Sequence, residues 1–232
     1  MRRVEHIMGL PVSLHTPHGE PGDAAFAWLR EADRRFSPFR PGSEVCGGEA
    51  SPELIEILDL CAEFERDSGG AFRARLPGRP LDPCGVVKGW AVQRAAELLR
   101  AEGIRDFCLN AGGDVVAAGE PEPGRPWSVG IRHPDLPHEV CAVFAIRDRA
   151  VATSGSYERG AHIIDGRTGR PAGELVSLTV IADDLTIADA TSTAAFAMGA
   201  EGIEWAAARP GCTVFAVDAD RKVFSTAGTI TL

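Results

Sequence analysis

Phe107-Cys108-Leu109-Asn110-Ala111-Gly112-Gly113-Asp114 is an apolar run closing on a pair of glycines, and its reading decides the fold. A glycine pair lets backbone approach a ligand, and it equally marks a hairpin turn. The spacing is not Gly-x-Gly-x-x-Gly, and no strand–helix–strand unit follows. A dinucleotide-binding parallel sheet is therefore disfavoured. On this reading 107–110 is a strand and Asp114 is a turn residue rather than a ligand.

Strand character continues outward from there. Trp127-Ser128-Val129-Gly130-Ile131 and the stretches 140–146, 177–181 and 213–218 are strand-like, and a turn at 218–221 leads to a last strand from Lys222. Helical spacing appears between them. Ala25, Phe26, Leu29 and Ala32 line one face of 23–36. Ser51-Pro52 forms an N-cap with proline at the first helical position, opening a helix to about Asp67. A third helix over 89–102 buries Ala91, Ala95, Leu98 and Leu99, and a fourth runs from near Ile187 through Ala200. Pro/Gly-rich stretches at 17–23, 76–83, 119–126, 132–138 and 166–173 are loops. Helices mixed with hairpins predict an α+β class. The expectation is one domain over 1–232, with mixed, largely antiparallel sheets and packed helices.

Composition narrows the function. Twenty-four Lys and Arg against 33 Asp and Glu give a formal charge of −9. An acidic chain does not carry the basic face that nucleic acid requires. Arg30, Arg34, Arg35 and Arg40 cluster, but Glu31 and Asp33 interrupt them, so they read as a solvated helix face. No stretch approaches the roughly 20 apolar residues of a membrane span. No signal-peptide pattern follows Met1, so a cytoplasmic protein without a leader is expected. The six cysteines have no CxxC pair or zinc spacing. Cys61, Cys108, Cys141 and Cys212 lie in apolar runs and read as core thiols. Cys84, in a turn-like setting, is a candidate catalytic thiol, disfavoured because no base is evident nearby.

Four segments carry polar and glycine content that packing does not need. Asp82-Pro83-Cys84-Gly85-Val86-Val87-Lys88-Gly89 leads into a helix whose free N–H groups suit an anion; Asp82 as a simple cap is the plainer reading. Asn110–Asp114 is the glycine turn already described. Thr153-Ser154-Gly155-Ser156-Tyr157-Glu158-Arg159, followed by His162-Ile163-Ile164-Asp165, is too polar to place cheaply in a core. His162 reads there as an acid–base partner of Asp165, an oriented donor, or a structural histidine. In Ala188-Asp189-Ala190-Thr191-Ser192-Thr193, Asp189 and Thr193 are i and i+4 and share a helix face. A carboxylate and a hydroxyl there suit Mg²⁺; an N-cap with a back-bonding threonine is the alternative.

Taken in order, these segments resemble the FAD:protein FMN transferase family, the ApbE-like flavin transferases. The resemblance also runs through Met8-Gly9-Leu10-Pro11-Val12 and Phe36-Ser37-Pro38-Phe39-Arg40-Pro41-Gly42-Ser43, and covers nearly the whole chain. It implies a Mg²⁺-dependent enzyme that cleaves FAD, links FMN to a threonine of a recipient flavoprotein and releases AMP. By position it puts Met8 and Asp82 on FAD, Phe39 where a tyrosine often lies near the flavin, and Lys88 in the same binding segment. It gives Asp189, Thr193 and the Gly85 carbonyl to the metal. His162 falls near the phosphates, and His162 or Asp189 would assist deprotonation of the acceptor hydroxyl. Three departures bear on FAD affinity: Arg73 stands where many members have Asp, Gly166 where Pro is usual, and Phe39 lacks a hydroxyl. Gly166 is expected to loosen its loop. Hydrolysis of FAD to FMN and AMP, or flavin binding without turnover, are the competing readings.

Overall fold

Alternating apolar side chains sort the strands into a sheet covered on both faces. The computed structural model describes residues 1–136, 138–157 and 160–226. The chain begins with β1 (Arg2–Ile7), β2 (Leu10–His15), α1 (Asp23–Phe36), α2 (Pro52–Asp67) and α3 (Cys84–Ala101). Then come β3 (Phe107–Ala111), β4 (Asp114–Ala118), β5 (Trp127–Arg132), β6 (Val140–Ile146) and β7 (Arg149–Gly155). The short β8 (Ile164–Asp165) and β9 (Arg170–Pro171) precede β10 (Leu175–Ala182). Helices α4 (Leu185–Met198) and α5 (Ala200–Ala207) lead to β11 (Thr213–Asp218) and β12 (Val223–Ser225).

Eight strands form one sheet in the order β1-β2-β3-β4-β7-β10-β11-β12, and every pairing within it is antiparallel. Val116, Ala150, Ala152, Leu178, Val180, Val214 and Ala216 face the helices. Their neighbours Val115, Ala117, Val151, Ile181, Phe215 and Val217 face the β5–β6 hairpin, where they meet Trp127, Val129, Ile131 and Phe144. The result is an α+β domain of three layers: helices, sheet and hairpin.

The same period of two places chemistry. It turns Asp114 and Ser154 toward the helices, and Thr153 toward the hairpin, where its hydroxyl lies 2.9 Å from that of Thr179. Thus the polar run from Thr153 enters the sheet with partners. Glu158 and Arg159 of that motif lie outside the described residues.

Helix α1 forms as the spacing predicts, with Ala25, Phe26, Leu29, Ala32 and Phe36 buried. Ser51 caps α2, its hydroxyl accepting the Leu54 N–H at 3.3 Å. Helix α3 differs from expectation by starting at Cys84 rather than Gly89. Pro83 precedes its first turn, and Asp82 Oδ1 accepts the Cys84 N–H at 3.0 Å. Its glycines are tolerated inside the helix because α4 passes close by. The fourth helix is two: α4 begins earlier, capped by Asp184, and Gly199 at φ 77° ends it before α5. Asp114 is no turn residue. The turn is Gly112-Gly113, both at positive φ, and Asp114 opens β4.

The arginine cluster is ion-paired. Arg34 bonds Glu31 at 2.6 Å, Arg40 bonds Asp33 at 2.5 Å and Arg30 bonds Glu5 at 2.6 Å. Arg35 corrects the solvated-face reading: it is largely buried between Glu44, at 2.7 Å, and Glu53. Among the described residues no helix is long and apolar enough to cross a membrane.

Candidate functional site

Asp189 lies on the first half of α4, which carries small side chains (Ala188, Ala190, Ala194, Ala195) buried between α3 and the sheet. Small residues let the two helices approach, and Gly89 marks the contact. A Cβ there would lie 2.7 Å from Asp189 Cβ and 2.7 Å from the Leu185 carbonyl. At this separation the Gly89 N–H donates to Asp189 Oδ2 at 2.9 Å. In a regular helix that N–H serves the Gly85 carbonyl, so the carbonyl keeps spare acceptor capacity.

Lys88, next to Gly89, bridges two carboxylates. Its ammonium contacts Asp114 Oδ2 closely and lies 3.3 Å from Asp189 Oδ1. Asp114 is 1% exposed and Asp189 2%. Burial works against the Lys88 charge, but the two carboxylates outweigh it and raise its pKa above the ordinary lysine value. Burial also lifts the Asp189 carboxyl above the usual carboxylate range, opposed by Lys88 and reinforced by Asp114. With both carboxylates ionised, the three charges sum to −1.

One turn along α4, Thr193 joins a hydroxyl cluster. Ser154 Oγ on β7 lies 2.9 Å from Ser192 Oγ and 3.3 Å from Thr193 Oγ1, and Ser192 donates to the Asp189 carbonyl at 3.0 Å. Gly85 lies against Thr193: a Cβ on Gly85 would sit 3.1 Å from Thr193 Cγ2 and 2.6 Å from the Phe72 ring. A side chain at 85 would therefore push that backbone away. Carboxylate, hydroxyl and backbone carbonyl are hard oxygen donors, so the residues present fit Mg²⁺.

The structure thus gathers Gly85, Lys88, Asp189 and Thr193 of the sequence-derived set, with Asp82 at the start of the same helix. Met8 stands apart from these contacts, at φ 56° in the β1–β2 turn. Phe39 is 82% exposed on the segment after α1. His162 is exposed on the loop before β8, with Nδ1 3.0 Å from the Gly160 carbonyl. It makes no pair with Asp165, which instead accepts from Arg167 Nε and N, each at 2.9 Å. Cys84 opens α3 as an exposed residue; partial desolvation by the surrounding chain, with Asp82 and Asp189 adding, raises its thiol above the ordinary range. A nucleophilic thiolate is disfavoured there.

Sequence reasoning missed Asp114, Ser154 and Ser192. The continuous apolar run Val115–Ala118 directly after Asp114 was the available signal that a strand opens there. Gly166 also differs from expectation. Its N–H donates to the Ala71 carbonyl at 2.8 Å, which a proline could not do. A Cβ there would lie 2.5 Å from the Gly70 carbonyl and 2.7 Å from Arg73 Cγ. The two departures are thus in contact, and glycine pins the loop to Arg73, whose Nε lies 3.2 Å from Glu65. Gly166→Ala is expected to cost about 1–2 kcal/mol, read as a lower urea midpoint at unchanged m-value.

The ApbE family model matches residues 73–216. That span contains Asp82, Gly85, Lys88, Asp114, His162, Asp189 and Thr193, and excludes Met8 and Phe39. The chain is 38% identical over 214 residues to the FAD:protein FMN transferase of Rhodobacter capsulatus, covering 88% of this chain and 39% of that protein. It is 35% identical over 161 residues to the FAD:protein FMN transferase of Escherichia coli K12, covering 65% of this chain and 46% of the relative. The chain therefore spans less than half the length of these curated relatives. The flavin transferase ApbE of Vibrio cholerae superposes with a TM-score of 0.83 at 21% identity, over 98% of this chain and 97% of that one. The ApbE protein of Thermotoga maritima gives 0.83 at 23% identity, over 97% and 96% of the two chains. The fold is that of an ApbE-like α+β domain. The chain belongs to the ApbE family.

Proposed function

We propose that residues 1–232 act as one unit that transfers the FMN part of FAD to a threonine hydroxyl of a recipient flavoprotein, releasing AMP. One observation carries this reading: the buried Asp189 lies one helical turn from Thr193 and against the first turns of α3, at Gly89 and Lys88. Membership of the ApbE family supports FAD as the substrate.

Asp189, Thr193 and the Gly85 carbonyl would hold Mg²⁺. When bound, Mg²⁺ supplies Lewis-acid polarisation of the FAD pyrophosphate and neutralises charge on the departing phosphate. The N-terminal turn of α3 offers N–H groups to phosphate oxygens. Lys88 adds positive charge beside them. Met8 and Asp82 contact FAD, and Phe39 supplies a flat apolar face for the flavin.

The acceptor threonine Oγ forms a bond to the FMN phosphorus while the bond from that phosphorus to the bridging oxygen breaks. AMP leaves with that oxygen. The hydroxyl proton needs an acceptor, and on this reading Asp189 is committed to the metal. His162 Nε2 has no partner among the described residues, so we assign the proton to His162. His162→Gln is expected to slow transfer about a hundredfold without changing FAD affinity, measured by single-turnover kinetics beside flavin fluorescence titration.

Chromatography of FAD, FMN and AMP, with and without an acceptor domain, tests the reading. Transfer releases AMP only when acceptor is present, with no matching free FMN. AMP and FMN in equal amounts without acceptor would instead establish a hydrolase. Intact FAD under both conditions, with a second acceptor also tried, would establish a binder.

A further inference from the structure

Asp114 is a buried carboxylate that the transfer chemistry above does not use. Its Oδ1 accepts the Thr153 N–H at 3.1 Å, which ties it to the neighbouring strand β7. Its Oδ2 is in close contact with the Lys88 ammonium. The same ammonium lies 3.3 Å from Asp189 Oδ1. Lys88 is therefore shared unequally, closer to Asp114, which the sheet holds in place.

We propose that Asp114 is a positioning residue: it holds Lys88 back from Asp189, leaving Asp189 able to give an anionic oxygen to a divalent cation. This rests on the assignment of Asp189 to the metal made above. The Lys88 side chain keeps 28% of its surface exposed, yet an ammonium partly withdrawn from water still needs a counter-charge. With Asp114 in place, that need is met on the β4 side. Without it, the only carboxylate Lys88 contacts among the described residues is Asp189. Lys88 would then close on Asp189 as a neutral pair, and an incoming cation would have to displace it. The charge of the cluster changes in step, from −1 with all three residues to 0 when Asp114 is neutral.

Asp114→Asn is close to isosteric, and its amide oxygen still accepts the Thr153 N–H, so it keeps the tie to β7 while removing both the charge and the acceptor that face Lys88. The expected result is at least about tenfold weaker Mn²⁺ binding, the size of effect that outer residues have on metal affinity. Asp114→Asn combined with Lys88→Met removes the competing ammonium and returns the cluster to −1. It is expected to restore wild-type affinity, which a purely architectural role for Asp114 would not do.

The test is titration of Mn²⁺ into the protein, with free ion followed by electron paramagnetic resonance and folding checked by thermal melting. Weak binding in Asp114→Asn with recovery in the double variant supports the proposal. Unchanged affinity in Asp114→Asn overturns it, as does a folded double variant that stays weak. Asp189→Asn, titrated alongside, separates the two claims. If Asp189→Asn or wild type shows that no Mn²⁺ depends on Asp189, the metal assignment fails and the proposal falls with it. If Asp189→Asn alone loses Mn²⁺, only the role of Asp114 is rejected. Should Asp114→Asn not fold, Asp114→Ser, titrated alone and combined with Lys88→Met, takes its place with the same supporting and overturning results.

Discussion

Asp189→Ala is expected to lower Mg²⁺-dependent FMN transfer about a thousandfold, the equivalent of several kcal/mol of lost charge stabilisation. The protein should remain folded, because Lys88 keeps its contact with Asp114. The Gly89 N–H, released from Asp189, falls back to its helical acceptor, the Gly85 carbonyl. No buried donor is then left without a partner, which is the usual source of severe destabilisation. Steady-state transfer at saturating Mg²⁺, beside a thermal melt, reads both quantities. A variant with near-wild-type transfer would remove Asp189 from the chemistry. A variant that unfolds would show that the Lys88–Asp114 pair cannot stand alone.

Gly89→Val is the second large effect, and it acts through the fold. The helix propensity of valine exceeds that of glycine only slightly. Against that small gain, the Cβ alone would sit 2.7 Å from the Leu185 carbonyl and from Asp189 Cβ. Backbone cannot swing away as a flexible side chain can, so α3 must move off α4. Overpacking of this kind costs about 3 kcal/mol, which corresponds to roughly 10 °C in Tm for a domain of this length. The same displacement stretches the Gly89–Asp189 hydrogen bond and separates Lys88 from Asp189. Transfer should therefore fall even at temperatures where the variant is folded. Wild-type Tm and activity would contradict the close contact of the two helices.

Much of this architecture was legible in the sequence, and the reasons are local. Helix α1 carries a clean apolar stripe, and α2 announces itself through Ser51-Pro52. Both form where the pattern places them. The β5 and β6 strands alternate cleanly because one face covers the sheet. Strand β1 was hidden because it lies at the sheet edge, and its Arg2, Arg3, Glu5 and His6 blur the apolar alternation. Strand β7 was hidden for the opposite reason: its polar end pairs with α4 and β10 through hydroxyls, which a count of apolar residues cannot register.

The candidate site was legible only in part. Asp189 and Thr193 are i and i+4 on one helix, so spacing alone puts them together. Lys88 and Gly85 lie on a second helix, whose Gly89 is 100 residues before Asp189, and the α3–α4 contact that joins them depends on the missing Cβ of Gly89. Asp114 follows a glycine pair and so looked like a turn residue. Its true setting depends on β4 pairing with β7, a contact across 39 residues. Long-range pairing of that kind leaves little mark on any short window of sequence.

The central claim is that this chain moves FMN from FAD to a protein hydroxyl. Intact mass spectrometry of a flavin-accepting domain, incubated with this protein, FAD and Mg²⁺, tests it most directly. The account expects the acceptor to gain the mass of one FMN with release of one AMP, and to gain nothing when its acceptor threonine is replaced by valine. Acceptors that keep their original mass while FAD is consumed to FMN and AMP would contradict it.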